Sequence, residues 1–426
     1  MCSGRSCREK TGAGGPGGGQ TAPRENPAAR EGAGNGPSRE PARTTLAFTG
    51  DIGFDHYMAR KWEDQKLIDG EILAILGASD HVVANLEGPL VSPDAPRAHA
   101  AEERLMHTID PAATRVLRAM RADIWSLGNN HIMDAGESGL AATLGEAERF
   151  GARTIGAGMN LRAARTPVLL GEAGGIGLFG VGYRRGCKPA DEGKGGCFLW
   201  NEMGLIRETI AQIKAKCRWC VMVVHGGEEF TALPSPYTRE RCLAYLAMGA
   251  DAVVCHHPHV PMNYEKAGDK TIFYSLGNFI FDTPYQRAQF HTDEGILLQL
   301  HFTERECSFT AHGIRVDRET ERIRPGKLPP VFADVPPAEY EKLAPLAAKM
   351  FLAATKRQQR FLHPERWRNA AEEDWTAHFL DPARPGRVEG EALDFRILHP
   401  LAHEAEKGAW KASALEAVKS YLLEQL

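Results

Sequence analysis

The segment His256-His257-Pro258-His259 places three imidazole side chains within four residues, directly after the apolar run 252–255. Neutral imidazole is a leading ligand for borderline divalent metals. In an extended segment, His257 and His259 are two residues apart and therefore point to the same side. The pattern predicts a metal site, and the alternative is a surface loop that is simply rich in histidine.

Four other apolar runs are also followed by residues that can bind metals. These clusters are Gly50-Asp51, Asn85-Leu86-Glu87, Asn129-Asn130-His131 and His225-Gly226-Gly227-Glu228-Glu229. Each has an ordinary explanation on its own, because Asp and Asn also form helix caps and turns, and a histidine can be hydrogen-bonded in a core. Together they supply carboxylates, an amide and imidazoles. This mixture predicts a site for one or two divalent cations, with manganese, iron or zinc as candidates. The alternative is a buried, hydrogen-bonded histidine cluster without metal.

Positioning these clusters requires strands whose ends meet. Strands are predicted at 44–49, 82–85, 123–126, 153–155, 168–172, 176–181, 219–224, 252–255, 271–275, 295–301 and 308–314. Helices are predicted between them at 64–76, 111–120, 137–150, 202–216 and 237–248. Strands that alternate with amphipathic helices indicate an α/β fold, which places sites beyond the carboxyl ends of its strands. The last two strands have no helix between them, which predicts an antiparallel hairpin.

Composition divides the chain into three parts. Residues 1–43 are rich in Gly, Pro, Ala and Arg and nearly lack large apolar side chains, so we expect them to be disordered. Residues 44–324 form the predicted α/β domain. Residues 325–426 begin with a Pro-rich linker and continue with helical patterns at 338–361 and 412–426.

The overall composition narrows the function classes. The 426-residue chain has a net charge of -4, which argues against a nucleic-acid-binding surface as its main function. Its nine cysteines are odd in number and scattered, which favours free thiols over a disulfide framework. No apolar run reaches the length of a membrane helix, and no signal-peptide pattern is present. On that basis we expect a cytoplasmic location.

The order of the five clusters, followed by Ser275-Leu276-Gly277-Asn278-Phe279, resembles the CapA family. These are capsule or poly-γ-glutamate synthesis proteins within the calcineurin-like metallophosphatase superfamily. The resemblance covers about 44–314. It implies a four-layer α/β sandwich of two mixed β-sheets flanked by helices, here with a C-terminal helical extension. It also implies association with the cell envelope, in a membrane-associated capsule complex.

The resemblance further implies roles for individual residues. The implied metal ligands are Asp51, Glu87, Asn130, His225, His257 and His259. Among them, Glu87 holds the position of a ligand that bridges two metals. His131 is similar to the general acid of the superfamily. Gly53 is a departure, because the superfamily normally has a histidine two residues after its first aspartate.

Two functions follow as hypotheses. In the first, the chain is a metal-dependent hydrolase in which a metal-bound hydroxide attacks a phosphoester or a γ-glutamyl amide. His131 is then the general acid, and Glu229 acts as base or orients the water. In the second, the chain is a non-catalytic assembly component that binds an anionic capsule polymer. Arg184, Arg185 and Lys188 are candidate anion-binding residues, and the alternative is a solvated loop.

Overall fold

The computed structural model describes residues 43–92, 106–171, 175–183, 186–380 and 416–426. The N-terminal segment for which we predict disorder lies outside the described residues, apart from Arg43. Arg184 and Arg185 also lie outside them.

The described residues contain sixteen strands. In chain order they are β1 (Thr44–Ile52), β2 (His81–Leu86), β3 (Ala122–Ser126), β4 (Arg153–Ile155), β5 (Ala157–Gly158), β6 (Val168–Leu170), β7 (Ile176–Gly182), β8 (Gly196–Cys197), β9 (Trp219–His225), β10 (Ala252–His256), β11 (Tyr264–Ala267), β12 (Lys270–Phe273), β13 (Asn278–Ile280), β14 (Glu294–Phe302), β15 (Cys307–Asp317) and β16 (Arg322–Pro325).

The α-helices of the described residues lie between and after these strands. They are α1 (Gly70–Gly77), α2 (Thr114–Ala119), α3 (Gly136–Phe150), α4 (Leu161–Ala164), α5 (Met203–Lys214), α6 (Pro236–Met248), α7 (Pro284–Arg287), α8 (Pro337–Leu362), α9 (Pro364–Trp367), α10 (Glu372–Leu380) and α11 (Glu416–Leu423).

The strands form two large mixed sheets and one small one. The first sheet has the order β16-β15-β14-β1-β2-β3-β4, with β13 also paired to β1. The second sheet has the order β11-β12-β10-β9-β7-β6, and β5 pairs with β8. In the first sheet, β1 to β4 are mutually parallel and the strands from β14 to β16 are antiparallel. The pairing of β14 with β15 confirms the predicted hairpin.

Side-chain alternation along the strands separates three apolar layers. Leu46 and Phe48 of β1 point into a core between the two sheets, where they meet residues of the second sheet such as Val221 and Val254. The intervening Ala47 points outward into a core formed with α1, α2 and α3. On the other side, α5 and α6 cover the second sheet. The predicted α/β sandwich of two mixed sheets flanked by helices is therefore confirmed.

The C-terminal helices pack onto the sandwich. Leu343 and Leu346 of α8 share an apolar cluster with Leu233, in the loop after β9, and with Val418 of α11. Tyr340 at the start of α8 donates a hydrogen bond to the Pro234 carbonyl at 2.9 Å. Among the described helices, none combines the length and the apolar character needed to cross a membrane.

Candidate metal centre

The register of the strands brings the predicted ligands to one level. In the first sheet, Asp51 of β1 lies opposite Asn85 of β2 and Asn278 of β13. In the second sheet, His225 at the end of β9 lies opposite His256 at the end of β10. Asp51 is thus the second-last residue of its strand rather than a residue after it, because β1 extends to Ile52. The two sheets present these ends side by side.

All six predicted ligands converge there. Asp51 and Glu87 are fully buried, and the three imidazoles of His225, His257 and His259 are almost fully buried. Among the described residues, two groups of side chains could hold a metal ion, and the donor atoms of each group lie within 4.8 Å of one another. One consists of Asp51, Glu87 and His225, and the other of Glu87, His257 and His259. Glu87 belongs to both groups.

The surroundings of Glu87 test whether the site suits a metal. Its two carboxylate oxygens are buried and have no hydrogen-bond partner among the described residues. Oε1 lies 3.5 Å from His259 Nε2 and 3.6 Å from His225 Nε2. Two donors that each lie about 2.1 Å from one tetrahedral ion are roughly 3.4 Å apart. A buried carboxylate without hydrogen bonds is unfavourable, so the spacing and the donor set both fit a cation between these groups.

Asn130 extends the set from the end of the first sheet. Its Oδ1 lies 2.8 Å from His225 Nε2, so both atoms can reach one ion. Asn130 follows Gly128, whose backbone packs directly against Gly156: a Cβ on Gly156 would lie 2.8 Å from the Gly128 nitrogen. Side chains are excluded at this crossing, which lets the Asn-Asn-His turn approach the second sheet.

Two asparagines support the ligands from behind. Asn85 Nδ2 donates to Asp51 Oδ1 at 2.8 Å and lies 3.2 Å from His225 Nδ1. Asn278 Nδ2 donates to Gln286 Oε1 and to the Thr292 carbonyl, which leaves Oδ1 facing His259 Nδ1 at 3.0 Å. His259 therefore donates from Nδ1 and presents Nε2 to the site. Such outer partners fix the tautomer and orientation of a ligand.

The backbone of the histidine segment differs from the prediction. Strand β10 ends at His256, and His257 and His259 both have positive φ angles, 100° and 59°. The two rings converge, with centroids 6.1 Å apart, through this left-handed geometry rather than through an extended segment. Strained backbone of this kind concentrates at functional sites. His256 points elsewhere, because its Nε2 bonds to the Thr49 carbonyl of β1 at 2.9 Å and so links the two sheets.

Electrostatics couple Glu87 to His259. Burial raises the pKa of Glu87 well above its usual value. Burial opposes charge on His259, but the Glu87 carboxylate and the Asp51 carboxylate, whose Oδ2 lies 3.4 Å from Nδ1, outweigh it and raise the pKa of His259 to about 10. The pair therefore holds a proton near neutral pH. Binding of a metal would displace that proton, because a ligand must present a lone pair.

His131 lies beside this centre rather than in it. Its Nδ1 donates to Asp134 Oδ2 at 2.8 Å, and its Nε2 lies 3.9 Å from Glu87 Oε1. Burial, followed by the charge of His259, lowers the pKa of His131 to about 3. The same Asp134 oxygen accepts the backbone N–H of His107, whose ring packs edge-on against His131 at 4.3 Å.

A cavity of about 690 Å³ opens in front of the centre. Glu229 lies on its wall, with Oε1 3.9 Å from His257 Nε2. Lys188 also lines it, which places one of the three predicted cationic residues at the cavity. The other lining residues include His107, Asn130, His131, Asp134, His259, Tyr285, Gln286, Gln358 and Phe361.

Several residues of the site had no assigned role in the sequence interpretation. Asp134 lies three residues after His131, a spacing short enough for a side-chain bond, but the sequence interpretation gave it no role. Asn278 lies in a motif that carried the resemblance but no role. His107 bonds to Asp55 Oδ2 at 2.7 Å and comes from a segment without a distinctive pattern. Gln358 lies far along the chain, and no local signal connects it to the site.

A protein-family comparison covers the part of the chain that contains this candidate centre. Residues 45–283 match the family model described as bacterial capsule synthesis protein PGA_cap, which is more than half of the chain. The matched segment includes all six predicted ligands, His131 and Glu229.

Three curated relatives are similar to the chain. The PGA biosynthesis protein CapA of Bacillus subtilis (strain 168) is 29% identical over 267 residues, which cover 60% of this chain and 67% of the relative. The capsule biosynthesis protein CapA of Bacillus anthracis is 25% identical, over 62% of this chain and 66% of the relative. A probable polyglutamine synthesis accessory protein of Mycobacterium tuberculosis is 26% identical, over 50% and 59%. The chain thus spans about two thirds or less of each relative.

Solved structures give more distant matches. A structure described as a novel phosphatase from Mycoplasma pneumoniae has 13% sequence identity and a TM-score of 0.41, over 65% of this chain and 95% of that chain. A hypothetical protein from Thermus thermophilus has 15% identity and a TM-score of 0.40, over 63% and 98%.

Proposed function

Because this chain belongs to the bacterial capsule synthesis protein PGA_cap family, we propose that it is a metal-dependent hydrolase in capsule or poly-γ-glutamate synthesis or processing. The observation that carries the proposal is Glu87, a fully buried carboxylate that has no hydrogen-bond partner in the part of the chain that the structure describes and belongs to both candidate ligand groups. A carboxylate at the junction of two ligand groups is typical of a bridging ligand in a two-metal hydrolytic site.

The residues divide into two ligand groups around Glu87. Asp51, His225 and Asn130 would hold one ion, and His257 and His259 the other. The mixed oxygen and nitrogen donors suit manganese, iron or zinc. When bound, such ions lower the pKa of a coordinated water and so supply a nucleophile at neutral pH.

His131 would transfer the proton to the leaving group. With a pKa of about 3, the ring is neutral at pH 7, and its Nδ1–H is already donated to Asp134. Its Nε2 would take up the proton that the attacking water loses and would donate it to the leaving group as the bond to that group breaks. Asp134 stabilises the imidazolium that forms, so the pair works as general acid in the second half of that exchange.

Glu229 would orient or deprotonate the attacking water. Its carboxylate lies on the cavity wall beside His257, and about a quarter of the side chain is exposed. From that position the carboxylate can reach a water molecule bound in the cavity.

The substrate class that we propose is an anionic polymer or a phosphoester. The curated relatives are named for capsule, PGA or polyglutamine synthesis, which favours a γ-glutamyl polymer as the physiological substrate. Lys188 on the cavity wall offers a cation to carboxylate or phosphate groups. Partners of the proposed enzyme would then include a capsule complex at the cell envelope.

A second candidate function is a non-catalytic assembly or polymer-binding component. The names of the relatives favour it, since they refer to biosynthesis and to an accessory role rather than to hydrolysis. In this case the bound metal would hold polymer carboxylates or stabilise the fold.

Exchange of His131 for asparagine separates the two functions. We expect His131→Asn to retain the metal content of the wild type and to lower kcat by about 100- to 10,000-fold on bis(p-nitrophenyl) phosphate or a γ-linked glutamate oligomer. Metal content is measured by plasma mass spectrometry on protein purified without chelator or His-tag. His363→Asn, on an exposed side chain of the C-terminal region, is the matched control. Metal-loaded wild type that hydrolyses neither substrate would favour the assembly role.

A further inference from the structure

Helix α8 reaches the cavity from outside the residues that match the family model. The match ends at residue 283, whereas α8 comprises Pro337–Leu362. Near its end, Gln358 Nε2 donates to Glu229 Oε2 at 3.1 Å. Gln358 and Phe361 both line the cavity in front of the metal centre. The C-terminal extension therefore contributes side chains to the wall of the candidate active site.

Several contacts hold α8 at that position. Arg357, the neighbour of Gln358, donates to Gln289 Oε1 and to the Gln425 carbonyl, both at 2.9 Å. Gln425 Oε1 in turn accepts the backbone N–H of Ala232, in the loop that also carries Glu229. The end of α8, the chain terminus and the Glu229 loop are thus linked by hydrogen bonds. These bonds fix the position of the α8 side chains relative to Glu229.

The bond from Gln358 contributes to how the Glu229 carboxylate is turned. Gln358 engages Oε2, and the other oxygen, Oε1, is the one that faces His257 at 3.9 Å. A carboxylate can rotate about its last torsion with little resistance, because that torsion is broad. A donor on one oxygen favours the rotation in which the second oxygen faces the metal centre.

Phe361 gives the cavity an apolar rim. Its side chain is 37% exposed, which is unusual for a phenylalanine, and its ring lies 5.3 Å from that of Tyr285. Both rings line the cavity. The methylene groups of a polymer of glutamate units are suited to pack against such a surface while the charged groups remain hydrated.

We propose that α8 completes the substrate site: Gln358 is a positioning residue that orients Glu229, and Phe361 contacts the substrate. This inference rests on the proposed function, since it takes the cavity as the place where substrate binds. It assigns a task to the C-terminal extension, which the family model does not reach.

Substitutions of equal size test the role of Gln358. Gln358→Glu replaces the donor with an acceptor that repels Glu229, and Gln358→Met removes the donor without adding charge. We expect kcat to fall about 10- to 100-fold in both, with the larger effect in Gln358→Glu, because misplacement of a catalytic group acts on the chemical step. KM and metal content should stay at their wild-type values. Gln359→Glu makes the same change one residue further along the helix and should behave as the wild type.

We expect Phe361→Ala to change KM rather than kcat. A residue that only contacts substrate affects binding, so we expect KM to rise several-fold with kcat unchanged. If α8 has a merely structural role, kcat and KM of these variants instead follow the loss of stability, which urea unfolding of each variant measures. Wild-type kcat in both Gln358 variants overturns the positioning role.

A readout without turnover distinguishes failure of this inference from failure of the proposed function. Amide hydrogen exchange is compared with and without a γ-linked glutamate hexamer, in metal-loaded full-length protein. We expect the hexamer to slow exchange in the last two turns of α8 in the wild type and much less in Phe361→Ala. Protection without hydrolysis contradicts the enzymatic function and leaves the α8 substrate site standing. Absence of protection in α8 overturns the inference, whether or not hydrolysis is observed.

Discussion

The two sheets of the sandwich supply different chemistry to the same centre. The end of the first sheet offers the oxygen donors of the candidate centre, namely Asp51, Glu87 and Asn130. The end of the second sheet offers its nitrogen donors, namely His225, His257 and His259. Carboxylates neutralise the charge of a cation, and imidazoles favour transition metals over magnesium or calcium. Neither sheet alone presents a set that could do both, so the centre exists only where the sheets meet.

The two sheets also differ in how the candidate ligands are held in position. On the first sheet, Asn85 holds the Asp51 carboxylate by a hydrogen bond within the same sheet. On the second sheet, the ligands are turned inward by left-handed backbone at His257 and His259, and the ring of His259 is oriented by Asn278 from the first sheet. Asp51 and His225 are thus placed by strand register, whereas His257 and His259 are placed by a left-handed turn and, for His259, by a contact between sheets.

Loss of Glu87 should have the largest effect, because this residue belongs to both ligand groups. We expect Glu87→Gln to bind neither ion stably, with a loss of affinity beyond the roughly 10- to 100-fold that removal of a supporting residue costs. Metal content after dialysis against chelator-treated buffer measures this. Glu202→Gln, at an exposed position before α5, is the control. Full metal content in Glu87→Gln would contradict the shared role.

Removal of second-sheet imidazoles should change the preference for metals. We expect the double variant His257→Ala/His259→Ala to lose about 100-fold or more in zinc affinity, since two nitrogen ligands are removed. Manganese, which accepts oxygen donors readily, should lose less. Competition titrations with both metals measure the ratio, with His312→Ala as control. An equal loss of affinity for zinc and manganese would argue against the idea that the two sheets supply donors with different metal preferences.

A supporting asparagine should matter less than a ligand. We expect Asn85→Leu to lower metal affinity about 10- to 100-fold, because Asp51 loses the donor that orients it. Calorimetric titration with manganese provides the measurement. Wild-type manganese affinity in an Asn85→Leu variant of unchanged thermal stability would contradict the proposed support of Asp51 by Asn85.

Acidification should weaken metal binding gradually. The pKa of His259 is raised to about 10, and burial raises that of Glu87, so the pair must release a proton when a metal binds at neutral pH. Affinity should therefore rise with pH, by about tenfold per unit for one proton. Calorimetry in two buffers of different ionisation enthalpy counts the proton. Binding that does not change between about pH 6 and 8 would contradict this linkage.

The strands that the sequence predicts most directly are those with a local signal, namely a continuous apolar run. Strands such as β9 and β10 were recognised because each is a continuous apolar run, and a buried strand requires such a run. The short strands β5, β8 and β13 were not recognised, because each pairs with a partner distant in sequence. Strands β11 and β16 pair with their sequence neighbours, but each is four residues long and lacks an apolar run. Strand β13 is paired to β1 through an approach that only glycine allows: a Cβ on Gly50 would lie 2.2 Å from the Gly277 carbonyl oxygen.

The sequence by itself determined the candidate ligand types and the strands that carry or precede them, because apolar periodicity and side-chain chemistry are local properties. Only the tertiary structure decided which oxygen faces which imidazole, that His256 links the sheets while His257 and His259 face the centre, and that α8 brings Gln358 to Glu229. The physical reason is that these contacts depend on the packing of two sheets and a distant helix. Packing is a property of the whole folded chain, whereas the sequence pattern records only what each segment can bury.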